Sequence, residues 1–449
     1  MSNEFVFVGF GAVAYGLVEI MNKEGLYKKT KFIIIEPRDL KANGRWDVLK
    51  NRKPVWVREA VTPENCGELL DPVLNDKATL INLSVDVDSI MLLNKAKQHK
   101  ALYIDTSLEN YEEDGHNEVG NTYAKIKENT LYYRQLLAER EMKGSKQTRV
   151  LSFGFNPGTI VEYAKKSLVE YAKLRKPEAL YNWKGDYAKL CHDLKCEEIL
   201  VAEYDSQKTK LKPNIDLFIN SWSAIGMQCE SLDNAMLNLN NEDIAYYTKE
   251  GIKMIRPEEK GSHIRFLPER AMNVFRRCYG VDHEGNVFQY ESRLLPHMEI
   301  ATMGAYLTYK GNSPSIMYCY RPSDVALESL EFLEKNDYKM LKEDYVMWAK
   351  DIEPLGFDSI GALCKFRRED GELDLFWGGS VISIEDSKAM GFKSGCTIIQ
   401  VAGGMNSALK WILRNPTNGL TNPEEIPFEF ILKDAKPYMG REFFKLLDV

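Results

Sequence analysis

The chain has 449 residues, 44% of them apolar and 11% aromatic, with a formal net charge of −7. That length calls for two or three domains, and no run of 18 apolar residues is present to cross a membrane. The acidic balance argues against nucleic acid and mildly favours cationic ligands, while eight scattered cysteines without a C-x-x-C fit reduced cytoplasmic thiols rather than a disulfide frame or a metal site.

Met1 to Glu4 leads straight into a strand, which leaves no room for a signal peptide. Phe5-Val6-Phe7-Val8 then feeds Gly9-Phe10-Gly11-Ala12-Val13-Ala14, and Phe32-Ile33-Ile34-Ile35 ends at Glu36. An apolar run, G-x-G-x-x-A, a helical segment and a second apolar run closed by an acid form the dinucleotide-binding fingerprint. Gly9 allows the tight turn, and Gly11, with Ala12 and Val13, brings backbone N–H groups to a pyrophosphate. Ala14 lets the helix lie close on the strand. Glu36 stands where an acid accepts the ribose hydroxyls, and its charge would repel a 2′-phosphate, so NAD is expected over NADP.

Further apolar runs follow at Val55-Trp56-Val57, Ala78 to Ser84, Ala101 to Thr106 and Val150 to Phe153. Helix formers fill 63–75, 87–99 and 121–143 between them. Short runs buried on both faces suit a parallel, doubly wound sheet over residues 1–155. Beyond it, Glu198 to Ala202, Ile215 to Ile219, Val287 to Tyr290, Met317 to Tyr320 and Leu375 to Trp377 read as strands without regular intervening helices. A mixed or antiparallel sheet in an α+β domain over 156–395 is expected. An amphipathic segment from Thr397 to Leu413, with Ala402-Gly403-Gly404, is expected to pack back on the first domain and complete it with the C-terminal helices of 395–449.

Ligands of an open α/β sheet bind beyond the carboxyl ends of its strands. Asn82, Ser84, Thr106 and Asn156 lie there and suit hydrogen bonds to ribose or nicotinamide, although Ser, Thr and Asn at such places serve equally as turns or N-caps. Glu203, Trp222, Glu230 and His297 are the polar or aromatic candidates of the second half. Composition alone reads them equally as a solvated acid, a core ring and a structural histidine. No metal-ligand spacing, nucleophile elbow or P-loop occurs, so hydrolysis and phosphoryl transfer have no support.

With Asn82-Leu83-Ser84-Val85-Asp86, Asp105-Thr106, Asn156-Pro157-Gly158, Ala202 to Gln207, Asn220-Ser221-Trp222-Ser223, Tyr320-Arg321-Pro322 and Gly379 to Glu385, the chain resembles the bacterial-type homospermidine synthases of the saccharopine-dehydrogenase-like group. The resemblance implies aminobutyl transfer between two putrescines, or from spermidine to putrescine, giving homospermidine and ammonia with NAD as a retained hydride carrier. It implies a cytoplasmic homodimer whose partners are polyamines, with 156–395 holding the catalytic and dimerisation surfaces. Trp222 matches the tryptophan that stabilises a cationic intermediate through its ring face. Glu203 and Glu230 match acids of the polyamine channel, His297 a histidine there, and Asp86 and Asn156 residues near the nicotinamide. Glu203 or His297 is the expected base. Asp324 and Asp358 are the nearest matches to the acids of the second-amine pocket; the family's Asn-Asp pair reads here as Asp324-Val325.

Two other readings lead elsewhere. A dehydrogenase using free cofactor and making an opine-like or carboxylated polyamine would need arginines for substrate carboxylates, with Arg265, Arg270, Arg276 and Arg277 available. A nucleotide-binding regulator would keep the fold without the chemistry.

Overall fold

A computed structural model of the chain describes residues 4–85, 87–110, 119–126, 130–181 and 183–448. Six strands of the N-terminal third are β1 (Glu4–Val8), β2 (Lys31–Ile35), β3 (Val55–Val57), β4 (Ala78–Asn82), β5 (Leu102–Asp105) and β6 (Arg149–Val150). The remainder are β7 (Cys196–Asp205), β8 (Leu217–Asn220), β9 (Asn234–Asn238), β10 (Ile264–Arg270), β11 (Phe275–Val281), β12 (Val287–Leu295), β13 (Ser315–Arg321), β14 (Glu343–Val346), β15 (Phe357–Arg367), β16 (Leu373–Ser383), β17 (Leu420–Thr421) and β18 (Arg441–Leu446).

The first sheet runs β17-β6-β5-β4-β1-β2-β3 with every neighbour parallel. Phe5, Phe7, Phe32 and Ile34 are buried on one face and Val6, Val8, Ile33 and Ile35 on the other, which is why these runs are continuously apolar. The order reverses between β1 and β4, where Val8 lies beside both Ile35 and Asn82. That reversal opens a crevice beyond the strands' carboxyl ends.

The helix Cys396–Arg414 packs on the helix Ala12–Lys23, and a Cβ on Gly16 would sit only 2.8 Å from Ile398. The chain then inserts β17 beside β6, so residues near the C-terminus do join the first sheet.

The second sheet is ordered β10-β9-β13-β7-β15-β16-β18, with β12 beside β13 and β11 beside β12. It is mixed: β13 runs parallel to β7, and the other pairs are antiparallel. The fold is therefore α/β, a Rossmann-type doubly wound sheet with a second α+β unit on a mixed sheet.

Several local expectations change. Within the 395–449 stretch expected to supply C-terminal helices to the first domain, Arg441-Glu442-Phe443 instead lies in β18 of the second sheet, because pairing with β16 supplies hydrogen bonds that local sequence cannot announce. Helices do punctuate the second half, including Ala224–Leu232, Met298–Tyr306 and Asp324–Lys335. The Ile215 to Ile219 run forms β8, which pairs with β14 outside the large sheet. The Val150 to Phe153 strand stops at Val150, since Ser152 takes a left-handed conformation at φ 51. Only Cys66–Leu70 of 63–75 is helical. Among the described residues, no helix is long and apolar enough to cross a membrane, and no cluster of His, Cys, Asp and Glu could hold a metal.

Candidate active site

A cleft of about 500 Å³ opens at the crevice of the first sheet and continues to the ends of β7 and β13 in the second. One end is lined by Gly9, Gly11, Ala12, Val13, Glu36, Arg38, Arg45, Ser84 and Thr106; the other by Asn156, Glu203, Trp222, Glu230, His297 and Tyr318.

A dinucleotide fits the first end. Gly9 has φ 82, and a Cβ there would fall 2.6 Å from the Leu83 carbonyl oxygen and from Ser84, so only glycine lets β1 turn beneath the loop after β4. Gly11 is the N-cap of the helix Ala12–Lys23 and no side chain caps it, so first-turn N–H groups are open to an anionic pyrophosphate. Glu36 is buried at the end of β2 as expected, but its lone pairs are already engaged. Its carboxylate accepts from the amides of Phe10 at 2.7 Å and Arg38 at 2.9 Å, and from Arg38 Nε at 2.8 Å and Nη2 at 3.1 Å. Four donors fill its acceptor positions, so Arg38 must swing aside for a ribose to be read. Burial pushes the Glu36 carboxyl up, and Arg38 with the Phe10 amide more than offsets this, leaving it below the usual range. Arg45 stands behind Arg38; burial, with the charge of Arg38, holds its guanidinium down to about 10.

Asn82 does not face the cleft. It is buried, donating to Ser89 Oγ and Tyr103 and accepting from the Ser84 amide at 3.2 Å and hydroxyl at 2.5 Å, and so shapes the turn that presents Ser84. Asp86 lies outside the described residues.

At the other end, two strands place alternate residues on one face. Glu203 lies beside Tyr320 in the β7–β13 register and beside Ile360 in the β7–β15 register. Its carboxylate accepts from Asn156 Nδ2 at 2.5 Å and from the Tyr318 hydroxyl. Burial first, then the negative charge of Asp205, raises Glu203 to about 7 against the pull of those hydrogen bonds and of His297. Trp222 donates its Nε1–H to the Tyr320 hydroxyl at 3.0 Å, which restrains the indole, and the residue lines the cleft. Glu230 sits on the helix Ala224–Leu232, with Oε1 3.7 Å from His297 Nε2. Burial raises its carboxyl despite that partner. His297 Nδ1 lies 2.7 Å from Glu299 Oε2. Burial disfavours its charge, but Glu299 and Glu230 outweigh this and push it up to about 10, which favours the charged form.

Two expected substrate acids lie elsewhere. Asp324 is exposed at the start of the helix Asp324–Lys335 and is bound by Arg321 three residues earlier. Asp358 is wholly buried and does not line the cleft; it lies opposite Asp205, two residues along β7 from Glu203, and is hydrogen-bonded by Thr397, a cleft residue. Tyr318, Tyr320 and Glu299 were not singled out by the sequence. The i, i+2 tyrosines of Met317-Tyr318-Cys319-Tyr320 offered a weak signal of one shared face; Glu299 offered none.

Residues 5–151 match the family model of the saccharopine dehydrogenase NADP binding domain. Homospermidine synthase of Blastochloris viridis is 26% identical over 97% of this chain and 89% of its own, and that of Mesorhizobium japonicum 26% identical over 97% and 88%. Among solved structures, homospermidine synthase from Legionella pneumophila, determined in complex with NAD, superposes with a TM-score of 0.83 at 24% identity, covering all of this chain and 92% of that one. Saccharopine dehydrogenase (L-Glu forming) from Saccharomyces cerevisiae gives 0.53 at 12% identity, covering 99% and 100%. Along nearly its whole length, the chain is thus similar in sequence to the homospermidine synthases of these organisms and shares its fold with the Legionella enzyme and with saccharopine dehydrogenase.

Proposed function

We propose that the chain is a homospermidine synthase, a transferase that moves an aminobutyl group between two putrescines, or from spermidine to putrescine, and releases ammonia. The carrying observation is the substrate end of the cleft: Glu203 and Glu230 line it with the Trp222 ring, and no arginine or lysine is among the described residues lining that end. Such a wall suits a diamine, which is dicationic near neutrality, and offers no guanidinium or ammonium to grip a substrate carboxylate, while His297 is already flanked by Glu230 and Glu299. Arg265, Arg270, Arg276 and Arg277, which a carboxylated substrate would need, are not among its lining residues.

NAD would be held by Gly9, Gly11, Ala12, Val13, Ser84 and Thr106, with Glu36 available to its ribose once Arg38 moves, and would supply a reversible hydride acceptor. The chain's own residues do the rest. Glu230 attracts an ammonium group of the diamine. Glu203, near its midpoint at neutral pH, takes a proton from the reacting amine and later returns one to departing ammonia. Asn156 and Tyr318 hold its carboxylate in place. The Trp222 face attracts the cationic imine formed when the second diamine adds to the oxidised carbon of the first and ammonia leaves, an interaction of ~0.5–2 kcal/mol that grows as water is excluded. A cytoplasmic homodimer is the proposed form.

Incubating the protein with putrescine and NAD should yield homospermidine and ammonia in equal amounts, with no sustained absorbance change at 340 nm. Neither product, from folded protein with nucleotide bound, would refute the proposal. Steady NADH turnover matched to product would indicate a free-cofactor dehydrogenase instead.

A further inference from the structure

Glu299 occupies the second position of the helix Met298–Tyr306, where an acid commonly complements the helix dipole or caps the backbone. It caps nothing here. Its side chain is fully buried, Oε2 is turned back onto His297 Nδ1 at 2.7 Å, and Oε1 has no hydrogen-bond partner. The other ring nitrogen of His297 points to Glu230, 3.7 Å away. A neutral imidazole carries one proton, so one of its nitrogens would present a bare lone pair to a carboxylate. With both carboxylates ionised, only the imidazolium satisfies both sides.

We propose that Glu299 is a positioning residue that fixes His297 as a permanent imidazolium inside the cleft, so that His297 tethers Glu230 and takes no proton from substrate.

The surroundings favour this arrangement. Tyr318 of β13 stacks obliquely on the imidazole with ring centres 4.5 Å apart, and its hydroxyl is committed to Glu203 of β7. On the helix Ala224–Leu232, Glu230 feels Asp233 as well as His297. Behind Glu299 stands Glu424, hydrogen-bonded by Thr302 Oγ1 at 2.7 Å and pushed up to about 7 by burial. Lys165 of the helix Thr159–Arg175 approaches from that side, but it is paired with Glu162 at 2.7 Å and donates to the Glu424 and Ile426 carbonyls. Among the described residues, no cation other than His297 therefore bonds to Glu299. The link to turnover rests on the amine-site reading, whereas the charge of His297 does not.

Histidine ¹⁵N NMR of the full chain tests it, with the His297 signal assigned by its loss in a His297→Asn variant. The wild-type signal should keep imidazolium shifts from pH 6 to 8.5, where an ordinary histidine with a pKa of about 6.5 loses its proton. In Glu299→Gln, which leaves Glu230 as the remaining acid, the midpoint should fall into that window, and Glu299→Asp should restore the wild-type behaviour. For putrescine turnover, the kcat/KM profile of Glu299→Gln should gain a second ionisation absent from the wild type. A wild-type His297 that titrates in the window, or an unchanged signal in Glu299→Gln, overturns the proposal. If putrescine is not turned over, the NMR result still decides the role of Glu299, and the failure falls on the proposed function alone.

Discussion

Asn156 donates its amide to Glu203 at 2.5 Å, joining the loop after the last central strand of the first sheet to β7 of the second. A residue beside the nucleotide crevice thus holds the acid proposed to serve the amine. Glu203→Gln should keep the fold and nucleotide binding and lower turnover by about 100-fold or more, the usual scale for a lost general base. Steady-state kinetics with nucleotide titration checks this; near-normal turnover would move the base elsewhere.

Since the Glu203 carboxyl is pushed up to about 7, kcat/KM should fall as pH drops through that value and the base becomes protonated. A pH–rate profile with its acid limb near 4 instead would mean that an ordinary exposed carboxylate does the work.

The buried acids also set stability. Asp205 is raised to about 6, Glu203 and Glu424 to about 7 and Glu162 to about 8, in each case chiefly by burial. A folded-state pKa above the unfolded value contributes stability that is complete below the unfolded pKa near 4 and is lost as pH rises through the folded one. Urea midpoints of the nucleotide-free protein should therefore decline between about pH 5 and 9. Flat or rising midpoints would contradict the burial of these groups as ionisable acids.

Trp222→Ala should leave nucleotide affinity unchanged and reduce turnover by about 10-fold or more, with Trp222→Phe recovering part of it, because a cation–π contact is worth ~0.5–2 kcal/mol or more when dry. Asp324→Ala should change turnover less than about 2-fold, since it disrupts only an exposed pair with Arg321. Parallel assays of both variants separate the cleft from the surface.

Glu36 and Arg38 govern the choice of nucleotide. Glu36→Ala removes the repulsion of a 2′-phosphate and frees Arg38 and Arg45 to bind one, so the affinity ratio of NADP to NAD should rise by about 10-fold or more. Calorimetry with both nucleotides measures it; an unchanged ratio would show that Glu36 only anchors Arg38.

The first sheet was legible because its signals are local: a strand is a short apolar run, and Gly9, Gly11 and Glu36 lie within one β-α-β unit. The second half was legible as strands but not as a site. Glu203 meets Tyr318, and His297 meets Glu230, only through pairing and packing across long stretches of sequence. Asp358 shows the same difficulty from the other side: its register opposite Asp205 puts it on the face that carries Glu203, but two residues further along the strand, where it is fully buried beneath Thr397. Asn82 lies at the expected strand end and turns its amide inward, a choice of rotamer that spacing does not reveal.

The most direct test is isotopic. Putrescine carrying deuterium at both end carbons should give homospermidine with full deuteration at every carbon bonded to nitrogen even with excess unlabelled NADH present, because the hydrogen removed from carbon returns to carbon inside one closed cleft. Product with one deuterium replaced by hydrogen, or no homospermidine at all, would contradict a retained hydride and an anionic site that keeps the intermediate until reduction.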